Sequence, residues 1–334
     1  MAVLVTGASG FLGGRLAQVL AAQGVEVRIL ARPGRDLRHL AGLPIQIVTG
    51  GLSDLACLAE GVRDVTHIYH CAGCSTDWAS WDVYFEANVA GVGNLLRAAG
   101  QVKGLERFLH VSTTDVYGYP VEPCEESHPL VDVGLPYNRT KCLGEQSVWE
   151  ASRRSGLPVT VVRPATIWGP RGAVFATDIA KLLRQGLMAV IDGGRSPGGF
   201  CYVDNCVEAI VQAATASHTA GHAYSLSDGT GVTWRQYVDA LADGLGARRP
   251  WINLPVTLAF PLARTMEAAH QYLPLPGRPL LTRHAVYLLS RSQEFPAEAA
   301  RRDFGFSPAV SFGEGMKRTV EWLTGRSEGA GVHA

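Results

Sequence analysis

Two side chains that could move a proton stand four residues apart, at Tyr137 and Lys141. They follow Pro136, a residue that fits the first turn of a helix, and apolar residues recur at helical spacing after them. On such a helix both side chains leave the same face. An ammonium beside a phenol favours the phenolate, so we expect Lys141 to lower the tyrosine pKa from its usual value of about 10. The pair indicates acid–base chemistry, although an ordinary exposed helix can carry the same spacing.

A glycine-rich turn near residue 10 could hold a pyrophosphate. Residues 2–5 form an apolar run that is typical of a buried strand, and Gly7, Gly10 and Gly13 lead from it into a helical pattern. Gly7 permits a tight turn, Gly10 lets the backbone approach an anion, and Gly13 lets helix and strand pack closely. The N–H groups at the helix start would then bind a dinucleotide, and a turn without a ligand is the alternative.

The end of the second predicted strand, residues 25–31, bears on which dinucleotide would bind. Proteins that bind NAD usually place Asp or Glu here, to hold the ribose 2′-hydroxyl. This chain has no carboxylate at that point, and Arg32 and Arg35 follow the strand. Because guanidinium groups pair with phosphates, the sequence favours NADP(H). NAD(H) is the alternative if these arginines are solvated loop residues.

The elements that must position these residues alternate between strand and helix. Further strands are predicted over residues 45–49, 65–70, 108–112 and 159–162, with helices over 84–99 and from Tyr137 onward. Such alternation predicts an α/β fold with a Rossmann-type, doubly wound parallel sheet. Ligands bind outside the carboxyl ends of the strands in these sheets, where the glycine turn, the loop at Thr113 and Pro164 all lie.

After Phe175 the alternation loosens, and the sequence predicts a smaller C-terminal substrate-binding lobe. We expect the dinucleotide-binding domain to span residues 1–172, with some later segments returning to it. The lobe would span mainly residues 173–325, and the Gly- and Ser-containing tail over 326–334 is expected to be disordered.

Several features of this second half bear on its caps and its substrate. Asp204 and Thr233 are predicted to cap two helices. The apolar stretch 255–272 could wall a hydrophobic pocket, and a packed core helix or a dimer face would show the same composition. Few basic residues suit a sugar diphosphate, which favours an apolar substrate, although Arg195 and Arg291 leave a nucleotide sugar open.

Composition argues against several classes of function. The 334 residues are 47% hydrophobic and carry 30 basic against 30 acidic side chains, so neither nucleic acid nor an anionic membrane is expected as the main partner. Seven scattered cysteines without a secretory leader predict reduced thiols in the cytoplasm. Cys71 and Cys74 lack a second pair, so we expect no metal site. No apolar run is long enough for a membrane span.

Together these motifs resemble the extended short-chain dehydrogenase/reductase family, which includes NAD-dependent epimerases and dehydratases. The motifs that carry the resemblance are Thr6-Gly7-x-x-Gly10-x-x-Gly13, Ser112-Thr113-Thr114-x-Val116-Tyr117-Gly118, Tyr137-x-x-x-Lys141, and Arg163-Pro164 with Trp168-Gly169-Pro170. The runs His70-Cys71-Ala72-Gly73 and Tyr202-Val203-Asp204-Asn205 are most similar to the 3β-hydroxysteroid dehydrogenase branch. Bacterial relatives in that branch act on sterols or on long-chain β-keto or β-hydroxy acids.

The resemblance implies a reaction and a role for each residue. An NAD(P)-dependent oxidoreductase would interconvert a secondary alcohol and a ketone on a small hydrophobic substrate. Tyr137 would exchange a proton with the substrate oxygen, Lys141 would hold the nicotinamide ribose, and Thr113 would bind the same oxygen. Asn88 would support the site or only pack helix against sheet. The implied cofactor contacts are Thr6, Gly7, Ser9, Gly10, Phe11, Leu12, Gly13, Arg32, Leu52, Cys71, Ala72, Gly73, Ser112, Tyr137, Lys141 and Pro164.

Two departures from the family pattern and two alternative functions remain open. Gly51 stands where the family often has an Asp near the adenine, and Thr114-Asp115 replaces the Asp-Glu of sugar dehydratases, which argues against dehydration. A nucleotide-sugar epimerase with tightly held NAD is one alternative function, and a non-catalytic dinucleotide-binding sensor or scaffold is the other. Relatives commonly pair through the helices near Asn88 and Tyr137, so we expect a homodimer.

Overall fold

A seven-stranded sheet, every neighbouring pair parallel, runs through a computed structural model that describes residues 2–325. The strands of the chain are β1 (Ala2–Thr6), β2 (Glu26–Ala31), β3 (Ile45–Thr49), β4 (His67–His70), β5 (Arg107–Val111), β6 (Val159–Pro164), β7 (Thr166–Trp168), β8 (Ala189–Ile191), β9 (Phe200–Tyr202), β10 (Ala223–Leu226) and β11 (Ile252–Leu254). The main sheet has the order β3-β2-β1-β4-β5-β6-β10. The pairs β7–β9 and β8–β11 lie outside it. The predicted tail 326–334 falls outside the described residues.

The sheet is covered by helices on both faces. They are α1 (Phe11–Ala22), α2 (Leu55–Gly61), α3 (Trp81–Phe85), α4 (Gly91–Ala99), α5 (Pro136–Ser155), α6 (Ile179–Arg184), α7 (Val203–Thr215), α8 (Trp234–Leu245), α9 (Val256–Tyr272), α10 (Arg283–Ser290), α11 (Glu298–Phe304) and α12 (Phe312–Leu323). A π-helical turn, Glu86–Ala90, joins α3 to α4, so the helix predicted over 84–99 is built from three pieces.

Alternate residues of each central strand pack on opposite faces, as the period of a strand requires. In β1, Val3 and Val5 join a core with α1 and α7, whereas Leu4 joins a second core with α2, α4 and α5. Both faces are therefore hydrophobic, which explains why the strands read as continuous apolar runs. This arrangement confirms the predicted doubly wound Rossmann-type class.

Strand order reverses at β1, which pairs with β2 on one side and β4 on the other. Open α/β sheets bind their ligands at such a switch point, outside the carboxyl ends of the strands. The glycine turn after β1 and the loop after β4 meet there. The later segment β10 also joins the sheet, beside β6.

The predicted helix caps had mixed outcomes. Thr233 caps α8 as predicted, and its side chain and that of Gln236 form a reciprocal capping box. The prediction for Asp204 was wrong, because α7 begins at Val203, so that Asp204 lies inside the helix and Tyr202 occupies the cap position. Asp204 instead accepts a hydrogen bond from Arg15 at 2.6 Å, which ties α7 to α1.

Helix α9 accounts for the predicted apolar stretch over 255–272, and its two faces differ. Ala259 and Ala263 are buried in a small cluster with α10, whereas Leu258 and Leu262 on the outer face are largely exposed. The helix is therefore partly a packed core element and partly an apolar surface. Within residues 2–325, no helix combines the length and the hydropathy that a bilayer crossing requires.

Candidate active site

The turn from β1 to α1 packs against the loop after β4, and at positions 7 and 13 it has room only for glycine. Gly7 has a φ of +76°, and a Cβ there would lie 2.7 Å from the nitrogen of Ala72. A Cβ at Gly13 would lie 2.6 Å from the carbonyl oxygen of Gly7. No side chain caps the start of α1 at Gly10, so the first-turn N–H groups are open to an anion. This cradle fits the pyrophosphate of a dinucleotide.

The loop 71–74 after β4 is held from both sides. The N–H of Ala72 donates to the Thr6 hydroxyl at 3.2 Å. The Asn88 side chain accepts from the N–H of Cys74 at 2.8 Å, donates to its carbonyl at 3.1 Å, and donates to Thr140 of α5 at 3.2 Å. Asn88 therefore holds loop 71–74 against α5. This contact combines the two roles that the sequence left open, support of the site and packing of helix against sheet.

The other predicted cofactor contacts lie at the same edge of the sheet. Those at the glycine turn, at the start of α1, beyond β3 and β5, and at the last residue of β6 are Ser9, Phe11, Leu12, Leu52, Ser112 and Pro164. Gly73 is exposed and Cys71 half-buried in the loop after β4. These positions surround the cradle, and their contacts with a cofactor remain a prediction.

Arg32 is exposed and begins a tight turn after β2 that the N–H of Arg35 closes, 3.3 Å from the Arg32 carbonyl. Its side chain passes over Gly51, where an added Cβ would meet its Cγ at 3.4 Å. Arg38 pairs with Asp36 at 2.7 Å, whereas neither Arg32 nor Arg35 has a carboxylate partner in the described part of the chain. Two guanidinium groups beside β2 are thus without an acidic partner among residues 2–325.

Thr113, Tyr137 and Lys141 come together at the carboxyl end of β5. The Thr113 side chain lies close enough to the Tyr137 phenol to lower its pKa, against the larger effect of burial. The Lys141 ammonium is buried and donates to the carbonyl of Val111 at 2.8 Å, one turn along α5 from the phenol. A phenol, a second hydroxyl and an ammonium therefore lie at the same edge of the sheet, and their roles in a reaction stay a prediction.

The predicted effect of Lys141 on Tyr137 was wrong. Burial raises the pKa of the phenol, the charge of Asp115 acts in the same direction, and the Thr113 hydrogen bond offsets only part of this rise. Burial lowers the pKa of Lys141 to about 8, against the opposing charges of Glu145 and Asp115. The phenol therefore holds its proton near neutral pH, whereas Lys141 loses its charge closer to neutrality than a lysine in water does.

Helix α5 is fixed by buried contacts on either side of the reactive pair. Asn138 accepts from the N–H of Val133 at 2.9 Å and donates to the carbonyl of Asp115 at 2.7 Å. Further along, the Glu145 carboxylate is fully buried and forms an ion pair with Arg163 of β6. These contacts set the orientation of Tyr137 and Lys141 relative to β5.

The sequence did not identify a buried polar group beside the phenol. The Asp115 carboxylate accepts from the Tyr119 hydroxyl and from Nε2 of His284, each at 2.8 Å. The imidazole of His284 packs on the Tyr137 ring, with centroids 5.2 Å apart. His284 lies 169 residues from Asp115 at the start of α10, so no local pattern links them. Only the fold brings the lobe to the reactive pair.

Metal and disulfide chemistry have no structural basis in the described residues. All seven cysteines are free thiols. Within residues 2–325, no group of three or more His, Cys, Asp or Glu side chains could hold a metal ion.

Comparison with known proteins agrees with this geometry. Residues 3–227 match the NAD dependent epimerase/dehydratase family. The chain is 32% identical, over 95% of both chains, to a 4-hydroxy-2-methyl-3-oxo-4-farnesyl-3,4-dihydroquinoline-1-oxide ketoreductase of Stigmatella aurantiaca. It is also 32% identical to a 2-alkyl-3-oxoalkanoate reductase of Stenotrophomonas maltophilia (strain K279a), over 95% of this chain and 98% of the relative.

A plant relative and a solved structure extend the comparison. A 3beta-hydroxysteroid-dehydrogenase/decarboxylase of Arabidopsis thaliana is 30% identical over 83% of this chain and 66% of its own length. The fold matches a UDP-glucuronic acid 4-epimerase from Bacillus cereus, solved with UDP-glucuronic acid and NAD, with a TM-score of 0.78 over 98% of this chain and all of the other. That pair is 21% identical, so it shows the fold alone.

These matches confirm the predicted enzyme class and a nicotinamide dinucleotide as cofactor. The chain belongs to the NAD-dependent epimerase/dehydratase family of extended short-chain dehydrogenases/reductases, with relatives in the 3β-hydroxysteroid dehydrogenase branch, and is an oxidoreductase.

Proposed function

We propose that this enzyme is an NADP(H)-preferring ketoreductase that reduces a hydrophobic 3-oxo compound to the secondary alcohol. The observation that carries the proposal is the meeting of Thr113, Tyr137 and Lys141 beside the dinucleotide cradle. Two relatives named as reductases of 3-oxo compounds, each covering nearly the whole chain, support the substrate class. A sterol-like ketone is the second member of this class that the relatives support.

The residues of this chain divide the chemistry between binding and proton transfer. When bound, the nicotinamide supplies the hydride. The Thr113 hydroxyl and the Tyr137 phenol would bind the ketone oxygen, and the phenol would give that oxygen its proton as the alcohol forms. Because burial keeps the phenol protonated, it is in the form that can donate a proton to the ketone oxygen during reduction. Lys141, fixed on the Val111 carbonyl, would hold the ribose. Its positive charge would stabilise the phenolate that is left after the proton is transferred.

The preference for NADP(H) rests on the two arginines after β2. A 2′-phosphate carries two negative charges and several acceptor oxygens, which guanidinium groups bind in a planar, bidentate way. Arg32 and Arg35 have no competing carboxylate among residues 2–325, and Gly51 leaves Arg32 a clear path along the loop after β3. The ribose of NAD(H) would leave both cations without a partner.

Aromatic side chains from the lobe and from the dinucleotide-binding domain support a hydrophobic substrate. The rings of Tyr119 and Tyr287 stack with centroids 4.9 Å apart, and Phe260 of α9 packs edge-on against Tyr287 at 4.8 Å. The ring of Tyr84 packs near that of Tyr137, with centroids 6.2 Å apart. Aromatic surroundings of this kind suit an acyl chain or a fused ring system better than a sugar diphosphate.

The test is a screen of three substrate classes with the purified enzyme, monitored by nicotinamide absorbance. Freshly prepared long-chain 3-oxo acids and ketosteroids should be reduced with net consumption of NADPH. Nucleotide sugars should give neither net consumption nor epimerised product. Tightly retained NAD together with UDP-sugar epimerisation would replace this function with that of an epimerase, and dinucleotide binding without any turnover would indicate a sensor.

We also propose a homodimer in the cytoplasm. Helix α3 exposes Trp81, Val83 and Phe85, and the Arg139 guanidinium of α5 lies 5.4 Å above the Trp81 ring. Together these side chains form one apolar surface across the two helices that relatives use for pairing. Sedimentation should give twice the mass of the chain, and a Trp81→Asp variant should sediment as a monomer. The seven free thiols are consistent with a reducing compartment.

A further inference from the structure

The imidazole of His284 has one nitrogen that the fold uses and one that it leaves without a partner. Nε2 bonds to the Asp115 carboxylate at 2.8 Å. Nδ1 is buried and makes no hydrogen bond to any residue in the range 2–325. Buried polar atoms are normally paired, and an unpaired one calls for a physical explanation. The side chain of His284 is only 12% exposed, so bulk water does not supply the missing partner.

The location of His284 suggests what that partner is. Its ring packs on the Tyr137 phenol, with centroids 5.2 Å apart. Its anchor, Asp115, also donates its backbone N–H to the Thr113 hydroxyl at 3.2 Å. The free nitrogen therefore belongs to a ring that touches the proposed acid and is anchored two residues from the other oxygen-binding group. A substrate held by Thr113 and Tyr137 would lie next to this imidazole.

The surroundings of His284 favour the charged ring. Burial disfavours the imidazolium, but the hydrogen bond and charge of Asp115 outweigh burial and raise the pKa of His284. Asp77 and Glu267 add negative charge from the loop after β4 and from α9, each already paired with an arginine, Arg278 or Arg283. The remaining facing groups, Tyr119 and Tyr137, are phenols whose pKa is raised by burial, so they stay neutral.

Other cations near the site are occupied. Lys141 donates to the Val111 carbonyl at 2.8 Å and is assigned to the cofactor. Arg278 forms ion pairs with both Asp77 and Asp178. His284, in contrast, has a ring nitrogen, Nδ1, that no residue in the range 2–325 engages.

We infer that His284 selects a substrate with a second oxygen beside the ketone, the carboxylate of a 3-oxo acid, which accepts a hydrogen bond from Nδ1–H. This inference rests on the proposed ketoreductase function and names the head group of its substrate. The carboxylate would lie two bonds from the ketone carbon, so one substrate could reach Thr113, Tyr137 and His284 together. Asp115 acts as a positioning residue that holds the ring and its tautomer.

Two variants separate this role from a merely structural one. In His284→Gln the amide can occupy the place of Nε2 and keep the bond to Asp115, but nothing replaces Nδ1. In His284→Asn the amide can occupy the place of Nδ1 while the bond to Asp115 is lost. The substrates are a fresh long-chain 3-oxo acid and the methyl ketone that remains after its carboxylate is removed, each assayed with NADPH.

We expect His284→Gln to raise KM for the 3-oxo acid at least tenfold, as the loss of a charged hydrogen bond implies, with kcat within about threefold. Its kinetics with the methyl ketone should stay within about twofold of wild type. His284→Asn should keep a clear preference for the 3-oxo acid, even if its melting temperature falls. If His284→Gln left the 3-oxo acid unaffected, or affected both substrates equally, the inference would be overturned while the ketoreductase function stood.

A pH profile gives a second readout. Protonated His284 donates a hydrogen bond to the substrate carboxylate and attracts its negative charge. KM for the 3-oxo acid should therefore rise as the pH increases through the pKa of the histidine. The methyl ketone should not show this rise, and His284→Gln should lose it. The same rise with both substrates would assign it to another group, such as Lys141, and would count against His284. If wild type reduced neither of these substrates nor a ketosteroid, the proposed function itself would be defeated.

Discussion

The cofactor end of the site and its substrate-facing end draw their contacts from different distances along the chain. The cofactor end, meaning the glycine turn and loop 71–74, combines Gly7 and Gly13, six residues apart, with a hydrogen bond from Ala72 to Thr6, 66 residues apart. The substrate-facing end, meaning Asp115 with His284 and Asp77 with Arg278, joins residues separated by 169 and 201 positions. Binding of a common cofactor is thus built into short motifs, whereas substrate choice depends on how the lobe packs.

The largest expected effect separates chemistry from cofactor binding at the boundary of the two ends. Tyr137→Phe removes the proton donor and keeps the ring that packs on His284. We expect kcat to fall about 10³-fold, within the range of general acid catalysis, with the Kd for NADPH within about twofold of wild type. Single-turnover absorbance and a fluorescence titration measure the two quantities. Undiminished turnover would remove Tyr137 from the mechanism.

The next effect concerns the scaffold that carries the reactive pair. Glu145→Gln leaves the buried Arg163 guanidinium without its counter-charge and should lower the free energy of unfolding by about 3–5 kcal/mol. The exposed pair Glu150–Arg154, on the same helix, provides the control, and Glu150→Gln should cost no more than about 0.5 kcal/mol. Urea unfolding measures both. Equal losses would show that burial of α5 against β6 does not fix the site.

The cofactor end can be disturbed with a matched pair of glycines. Gly7 and Gly24 share a φ of +76°, but only Gly7 meets backbone atoms, since nothing lies within 4 Å of a Cβ at Gly24. Gly24→Ala should therefore cost about 1 kcal/mol of backbone strain, and Gly7→Ala about 1–3 kcal/mol more, with weaker NADPH binding. Calorimetry and cofactor titration report the difference. A Gly7→Ala protein with unchanged affinity would show that the turn does not cradle the pyrophosphate.

Cofactor choice should change by a smaller factor. Arg32→Ala should raise KM for NADPH about tenfold and leave KM for NADH within about twofold, because only the former has a phosphate for the guanidinium. Arg38→Ala is the control, since that side chain is paired with Asp36. Steady-state kinetics with both cofactors check the prediction. A parallel loss for NADH would assign Arg32 to the adenine or to the loop.

The smallest effect falls at the substrate-facing end. Arg278, in the segment before α10, forms ion pairs with Asp77 of the loop after β4 and with Asp178 just before α6. Because Arg278 is 40% exposed, Arg278→Ala should raise KM for the ketone only about two- to threefold and leave kcat unchanged. Arg249→Ala, which breaks the exposed pair with Asp243, is the control and should change neither constant. A drop in kcat would move Arg278 from positioning the lobe to supporting the chemistry.

The sheet could be predicted from the sequence because each central strand is a short apolar run closed by a turn. The predicted strand over 45–49 coincides with β3, and the other five differ from β1, β2, β4, β5 and β6 by no more than two residues at either end. The short strands β7, β8, β10 and β11 were missed, since three or four residues carry too little pattern to distinguish a strand from a loop. The start of α7 was misplaced for a similar reason, because Asp204 looks like a cap but bonds to Arg15.

The reactive trio could be predicted because it lies in motifs whose spacing has a direct chemical meaning. The environment of the trio could not, since it depends on burial. Lys141 was expected to lower the pKa of Tyr137, but the phenol is buried near the Asp115 carboxylate, and its pKa is raised instead. His284 gave no signal at all, because an isolated histidine in a helix has meaning only once the fold places Asp115 and Tyr137 beside it.

The most direct measurement of the central claim is a crystal structure of the enzyme with NADPH. The proposed mechanism predicts that the pyrophosphate lies on the first-turn N–H groups of α1 and the 2′-phosphate beside Arg32. The nicotinamide ring should face the Tyr137 phenol, with room between them for one carbonyl group. A nicotinamide ring bound elsewhere, out of reach of both Tyr137 and Thr113, would contradict the mechanism.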